Sequence, residues 1–202
     1  WKLIVPTHRR LNEKFNIFIK CEDKWGNPSN KVQKKLHLFS DELIEGLPKT
    51  VSFKKGEFSL TIRDLKIKNE GVYKIIVKDN KKDILSISNP LIIKNCKYVH
   101  FWSDMHGQSR ETIGTNTADE YFNFAKNKSF LDICGHQGND FQITDEFWKQ
   151  LNLITKKYNE DGVFLAIPGY EWSGNTSVGG DHNVWYKKEN RPIFRSSRAL
   201  IS

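Results

Sequence analysis

The sequence predicts an α+β protein of two domains, an immunoglobulin-like β-sandwich over residues 1–95 and an α/β region over residues 96–202. Two patterns predict this class. Before residue 95, short runs in which apolar and polar residues alternate are separated by turn-rich pieces, which is typical of a sandwich. After residue 95, strand-like runs alternate with helical patterns, which is typical of parallel strands joined by crossover helices.

The sandwich elements follow from a period of two. The first is predicted over residues 15–21, where apolar side chains occupy positions 15, 17, 19 and 21. Later strands are predicted in the runs KLHLF, EFSLTI, VYKIIV and ILSISNPLII, with WGNPSN, KKGE and NKKD as turns. The run NEGVYKI resembles the corner before a late strand of immunoglobulin-like modules, so Tyr73 is expected to be a structural tyrosine.

The second region predicts the order β-α-β-α-β. Strands are predicted at YVHFWS, FLDIC and VFLAI, which cover residues 98–103, 130–134 and 163–167. The first helix, TADEYFNFA, starts with Thr117 and Glu120 at the spacing of a capping box. The second, TDEFWKQLNLITKKY, is amphipathic. The expected buried faces are Ala118, Tyr121, Phe122 and Ala125 in the first helix, and Phe147, Leu151, Ile154 and Tyr158 in the second.

Charge and cysteine content exclude several classes of protein. Residues 1–97 carry 21 basic and 11 acidic residues, whereas residues 98–202 carry 11 basic and 13 acidic residues. The basic residues are scattered through strand-like segments, which favours a solvated lysine-rich surface over a nucleic-acid site. Three separated cysteines predict neither a disulfide scaffold nor a zinc ribbon. No apolar run reaches the length of a membrane span, and the compartment is undetermined, with the cytoplasm slightly favoured.

Polar side chains come after each predicted strand of the second region. Asp104 and His106 follow the first strand, His136 the second and Glu171 the third, and His182 comes after a glycine-rich loop. The carboxyl ends of parallel strands are where ligands bind in α/β folds. Three imidazoles and a carboxylate form a ligand set suited to Zn, Mn or Fe. Asp104 is expected to be either a ligand or a turn former.

Four motifs, DMHGQS, CGHQGND, PGYEWS and GGDHN, resemble in their order the PHP superfamily, named for polymerase and histidinol phosphatase. The resemblance covers residues 98–186. It implies that residues 96–202 are the first part of a PHP-type (β/α)7 barrel with a metal cluster at its strand ends. More narrowly, HGQS, ETIGT, GHQGNDFQITD and GYEWSGNT are similar to an uncharacterised group with a β-sandwich before the barrel, domain of unknown function 3604.

Carried over by the resemblance, His106 matches the first histidine of a His-x-His pair, Glu171 a bridging glutamate, and His136 and His182 two further ligands. At two positions this sequence differs from the superfamily pattern. Gln108 occupies the position of a second histidine, and Gly135 occupies the position of an aspartate. These departures imply either fewer metal ions or Asp140 as a substitute ligand. The length implies that the chain is an N-terminal portion of a longer protein. The open strand edges of such a portion would be covered by something outside the chain, such as a second copy.

The resemblance implies a metal-dependent hydrolase, in particular a phosphoesterase, that uses divalent Zn, Mn or Fe and metal-activated water on a small phosphorylated or anionic substrate. Arg110 is expected either to hold the substrate anion or to form a surface ion pair, and Asp140 is the candidate general acid or base. The alternative is a non-catalytic binding or assembly module with a degenerate barrel. A nuclease is the third and weakest expectation, and no membrane partner is expected.

Overall fold

The computed structural model describes residues 1–174, 177 and 179–199. The chain divides into two compact units, of which the first is Trp1–Phe101 and the second begins at Trp102. The division lies six residues beyond the expected end of the sandwich at residue 95. The Arg10 guanidinium accounts for part of this difference, because it donates to the carbonyl oxygens of Cys96 and Lys97 and so holds them to the first unit.

The first unit consists of ten strands in three sheets with the orders β1-β3-β6, β2-β10-β7 and β5-β4-β8-β9. Every pairing is antiparallel except that of β2 with β10. The strands are β1 (Lys2–Ile4), β2 (His8–Arg9), β3 (Phe15–Lys20), β4 (Lys34–Ser40), β5 (Thr50–Phe53), β6 (Ser59–Leu65), β7 (Gly71–Tyr73), β8 (Ile75–Lys78), β9 (Ile84–Ile87) and β10 (Leu91–Ile93).

These sheets share one apolar core, which the period of two supplies. In β3 the side chains of Phe15, Ile17 and Ile19 are buried, whereas the residues between them are partly exposed. The buried Tyr73 hydroxyl donates to the carbonyl oxygen of Asn69 at 2.9 Å, which confirms the structural role predicted for this tyrosine. The immunoglobulin-like identity of the domain stays a prediction.

The second unit contains a parallel three-stranded sheet with the order β11-β12-β13, and its crossovers are helical. The predicted order β-α-β-α-β is therefore confirmed. An antiparallel hairpin, β14-β15, follows the sheet. The elements are β11 (Ser103–Gly107), α1 (Ala118–Phe124) with a π-helical turn at Ala125–Ser129, β12 (Ile133–His136), α2 (Asp145–Tyr158), β13 (Leu165–Ile167), β14 (Gly169–Ser173), β15 (Asp181–Trp185) and α3 (Ser196–Ala199).

The helices α1 and α2 both begin where the sequence predicts. The Thr117 hydroxyl accepts from the Glu120 backbone N–H, and the Glu120 carboxylate accepts from the Thr117 backbone N–H, which confirms the capping box. Thr144 caps α2 in the same position. The predicted apolar face of α2 is buried in full, at Phe147, Leu151, Ile154 and Tyr158.

The strands of the parallel sheet start later than predicted. The sequence predicts strand from residue 98, but the strand begins at Ser103 and includes the polar sequence up to Gly107. β12 likewise starts at Ile133 and β13 at Leu165. Tyr98 and Trp102 are mostly exposed, so the aromatic run that suggested a strand does not enter the core. The ladder between β11 and β12 begins at the pair Ser103–Ile133 and continues at Asp104 and Cys134, so the register of the sheet and not the local propensity of the aromatic run sets the start of the strand.

The described part of the chain contains these three parallel strands and no closed barrel, and most of its regular structure is β-sheet. None of the helices within it is long and apolar enough to cross a membrane.

Candidate functional site

A buried carboxylate lies at the centre of the candidate site. Glu171, in the middle of β14, is 8% exposed. Its Oε2 accepts from Nδ2 of Asn139 at 3.0 Å and from Nε2 of Gln108 at 3.4 Å, and it lies 3.6 Å from Nε2 of His106. Asn183 contacts His106 from β15. These five residues, His106, Gln108, Asn139, Glu171 and Asn183, are called the Glu171 cluster below.

Three parts of the second unit bring the cluster together. β11 and the residue after it supply His106 and Gln108, and the segment after β12 supplies Asn139. The hairpin β14-β15 supplies Glu171 and Asn183. Asn139 forms an isolated parallel bridge with Glu171, which places the start of the hairpin beside the carboxyl end of β12. These side chains therefore lie at the carboxyl end of the parallel sheet, which is the edge where the sequence predicts that polar groups meet.

His106 presents one ring nitrogen to Glu171. Its Nδ1 lies 3.1 Å from Oδ1 of Asn183, and because a carboxamide oxygen can only accept, Nδ1 carries the proton. In the neutral ring, Nε2 is then an acceptor that faces a carboxylate. Two acceptors in contact repel each other unless Nε2 is protonated or a cation lies between them. The side chain of His106 is 52% exposed, so solvent and solutes reach this pair.

The carboxamides that surround Glu171 have a fixed orientation. Asn139 donates to Ser173 Oγ at 2.8 Å as well as to Glu171, and its Oδ1 accepts from Gln108. Oε1 of Gln108 accepts from the Thr112 hydroxyl at 2.8 Å. Since both amide oxygens have donors, the two NH₂ groups turn toward the carboxylate and stabilise its charge.

Asp140, the candidate general acid or base, has a structural position. It is fully buried, and its carboxylate accepts from the backbone N–H of Ser173 at 2.8 Å and of Ser196 at 2.6 Å. The Ser196 hydroxyl lies 3.1 Å from both carboxylate oxygens. Arg195 adds hydrogen bonds to the carbonyl oxygens of Asp140 and Ile143. A carboxylate held this way supports the loop that carries Asn139.

His136 also lies outside the cluster. Its Nδ1 accepts from the backbone N–H of Gly138 at 3.2 Å, so the neutral ring donates from Nε2 to Ser109 Oγ at 2.8 Å. Burial lowers the pKa of His136 to about 4, and the nearby Glu111 opposes that shift only in part. With both nitrogens engaged in the protein, this imidazole has no lone pair to offer a metal ion.

The other predicted residues are also apart from Glu171. His182 pairs with Trp172 across the hairpin and contacts the Trp172 ring, so it lies on the face opposite to Glu171. Asp104 accepts from the Tyr121 hydroxyl and from the backbone N–H of His106, two residues on, which is the pattern of a turn former. Arg110 is exposed in the loop after β11.

Only two of the predicted metal ligands therefore meet. Among residues 1–174, 177 and 179–199, no group of three or more His, Cys, Asp or Glu side chains is placed to hold a metal ion. The pair that does meet has a suitable spacing. Because zinc–nitrogen and zinc–oxygen bonds are about 2.0–2.2 Å long, two tetrahedral ligands lie about 3.4 Å apart. The 3.6 Å between His106 Nε2 and Glu171 Oε2 is close to that value.

The structure explains the glycine at position 135. A methyl group on Gly135 would lie 2.2 Å from Cζ3 of the Trp185 ring, so the indole fills the space that a side chain would need. An aspartate cannot occupy this position while Trp185 stays where it is. The absence of a side chain at position 135 is therefore linked to the hairpin that carries Glu171.

Sequence reasoning missed Asn183. It selected His182, whose imidazole is the better ligand, but the register pairs Asn183 with Glu171 and gives both side chains the same face. The alternation within β15 was a signal that could have identified Asn183, provided that the partner of Glu171 was known.

Comparison with known proteins gives a family and three relatives. The family described as "Protein of unknown function (DUF3604)" matches residues 76–198. An uncharacterized protein of Chlamydia pneumoniae is 20% identical over 195 residues, which cover 94% of this chain and 31% of the relative. Uncharacterized proteins of Chlamydia muridarum and Chlamydia trachomatis are each 21% identical over 193 residues. The chain thus spans 31% of the length of each of these relatives.

Proposed function

We propose that this chain, which belongs to the DUF3604 family of proteins of unknown function, catalyses metal-dependent hydrolysis at the Glu171 cluster. We propose further that the second unit is the first part of a PHP-type barrel. Three parallel strands in sequential order, with helical crossovers, support this fold. The motifs at the ends of those strands support the reaction class.

One observation carries the proposal, the approach of His106 Nε2 to a buried carboxylate oxygen at 3.6 Å. His106 and Glu171 would hold one divalent ion of Zn, Mn or Fe between them. When bound, such an ion lowers the pKa of a coordinated water from 15.7 toward about 7 and polarises a phosphoryl oxygen. Two protein ligands leave the remaining coordination positions to water and substrate.

The residues of the chain have separate roles in this proposal. Gln108 and Asn139 hold the Glu171 carboxylate with N–H donors and fix its orientation. The exposed edge of His106 admits a small phosphorylated or anionic substrate from solvent. Arg110, exposed after β11, is proposed to attract the anion. Asp140 supports Ser173 and takes no part in proton transfer.

Metal binding by matched variants tests the proposal. We expect one Zn or Mn ion per chain in the wild-type protein, measured by calorimetry and elemental analysis, and hydrolysis of p-nitrophenyl phosphate that depends on the ion. His106→Ala and Glu171→Gln are expected to abolish both, because each removes one ligand. His182→Ala is the control, since that imidazole lies on the opposite face of the hairpin and should leave binding unchanged.

Two results contradict the proposal. A wild-type protein that takes up no divalent ion has no metal-dependent activity at this site. Binding that survives Glu171→Gln but is lost in His182→Ala places the ligands on the other face of the hairpin.

A binding module is the second candidate, and a surface of the first unit favours it. The outer face of the sheet β5-β4-β8-β9 carries exposed Phe39, Ile84 and Ile87, and the Lys78 ammonium lies 4.8 Å above the Phe39 ring. An exposed apolar patch beside lysines is typical of an interaction surface. Salt-sensitive retention on an immobilised polyanion, by a protein that takes up no metal, would favour this candidate.

A further inference from the structure

We propose that Asn183 is a positioning residue that fixes the ring orientation and the tautomer of His106, so that Nε2 faces Glu171. This inference rests on the proposed function of the Glu171 cluster, because it assigns the residue that prepares one of the two ligands.

The first step of the argument is the direction of one hydrogen bond. His106 Nδ1 lies 3.1 Å from Asn183 Oδ1, and only the imidazole can donate in this pair. The bond therefore selects the tautomer with the proton on Nδ1. A histidine that binds a metal through one nitrogen usually donates from the other to an oxygen, which fixes its ring.

The second step is that His106 has few other restraints. Its side chain is 52% exposed, and the hydrogen bond to Asp104 Oδ1 restrains its backbone N–H but not its ring. The contact with Asn183 and the approach to Glu171 are the polar contacts of the imidazole within the described part of the chain. Without Asn183, the ring would have no partner that selects Nδ1–H.

The third step is that the hairpin register places Asn183 and no other residue of β15 at this position. Asn183 pairs with Glu171, and His182 pairs with Trp172 on the other face. The Trp185 ring packs on Gly135, and Val184 O would lie 2.5 Å from a methyl group on Gly169, so close packing at both sites holds the register. A slip of one residue would exchange Asn183 for a neighbour of different chemistry.

Nitrogen-15 NMR of the His106 ring in the metal-free protein, at pH 8, tests the inference directly. We expect the Nδ1–H tautomer in the wild-type protein and a shift toward Nε2–H in Asn183→Leu, which keeps the size but removes the acceptor. Asn183→Asp keeps an acceptor and should keep the Nδ1–H tautomer. His182→Asn, on the opposite face, is the control. Amide spectra of the variants check that each is folded.

Zinc affinity gives a second measurement. Because loss of such a partner weakens metal binding by about 10- to 100-fold, Asn183→Leu should raise the Kd for zinc by that factor. His182→Asn should leave the Kd unchanged. An Nε2–H tautomer in the wild-type protein, or the same tautomer in wild type and Asn183→Leu, overturns the inference. The expected tautomer change in a protein that binds no zinc supports the inference and overturns the proposed function.

Discussion

His136 shows how burial decides the role of a histidine. The ring packs between Tyr121 and Phe147, and both of its nitrogens form hydrogen bonds within the second unit. Charging such a ring would cost free energy, because the imidazolium loses its hydration and its Nδ1 could no longer accept from Gly138. The residue therefore joins β12 to the loops after β11 and β12 as a neutral group.

This position predicts a pH dependence of stability. The folded-state pKa of His136 is lowered to about 4 from 6.5, so below pH 6.5 the unfolded chain binds a proton that the folded chain does not. The stability of the second unit should fall as the pH falls from 6.5 toward 4, by about 3 kcal/mol in total, and this contribution should level off below pH 4.

Denaturant unfolding at several pH values measures this effect, with His136→Gln as the control. The variant has no titrating group, so the difference between the two proteins isolates His136 from carboxylates that titrate at lower pH. Equal pH dependence of the two proteins between pH 6.5 and 4 would mean that the imidazole is not held neutral.

At the scale of elements, the hairpin β14-β15 determines which side chains meet. Glu171 and Asn183 share one face because they are paired, and Trp172 and His182 share the other. The Trp185 ring on Gly135 joins this hairpin to the parallel sheet. A packing contact away from the polar groups thus sets the composition of the Glu171 cluster.

Gly135→Ala should disturb this contact. A methyl group would lie 2.2 Å from the Trp185 ring, so the indole or β12 must move, and overpacking of this kind costs about 1–3 kcal/mol. We expect a lower free energy of unfolding, a changed near-UV circular dichroism signal and weaker zinc binding. In a Trp185→Val background the same substitution should cost much less, because the space is open. Additive effects of the two substitutions would contradict this account.

At the scale of the whole molecule, the chain has two separate cores. The first core is formed by residues between Leu3 and Ile93, and the second by residues between Ala118 and Tyr170. No buried residue belongs to both clusters among those that the structure describes. Each unit therefore has its own hydrophobic stabilisation.

Matched core substitutions test this independence. Leu36 in the first core and Leu151 in the second are 0% and 1% exposed, so replacement by alanine should destabilise either unit by about 2–5 kcal/mol. Hydrogen exchange followed by mass spectrometry should show faster exchange in β3–β8 for Leu36→Ala and in α1, α2 and β12 for Leu151→Ala. Faster exchange in both units from either substitution would show that they unfold together.

Much of the fold could be predicted because its signals are local. The alternation at residues 15–21 gives a strand with one buried face, and the helical period in α2 gives its buried residues. The Thr117 capping box and the Tyr73 hydroxyl bond depend on residues three or four positions apart. Interactions over such short spans are encoded in neighbouring residues.

The sequence by itself determined that His106 lies near the carboxyl end of the first parallel strand and that Glu171 comes shortly after the third, since chain order and parallel pairing suffice for that. That Glu171 lies within an antiparallel hairpin was decided by the tertiary structure. The tertiary structure decided the remainder of the cluster. It paired Glu171 with Asn183, turned His182 to the other face, and buried His136 and Asp140 among structural hydrogen bonds. The physical reason is that strand register depends on packing between distant residues, such as Trp185 on Gly135, and one residue of register exchanges the two faces of a strand.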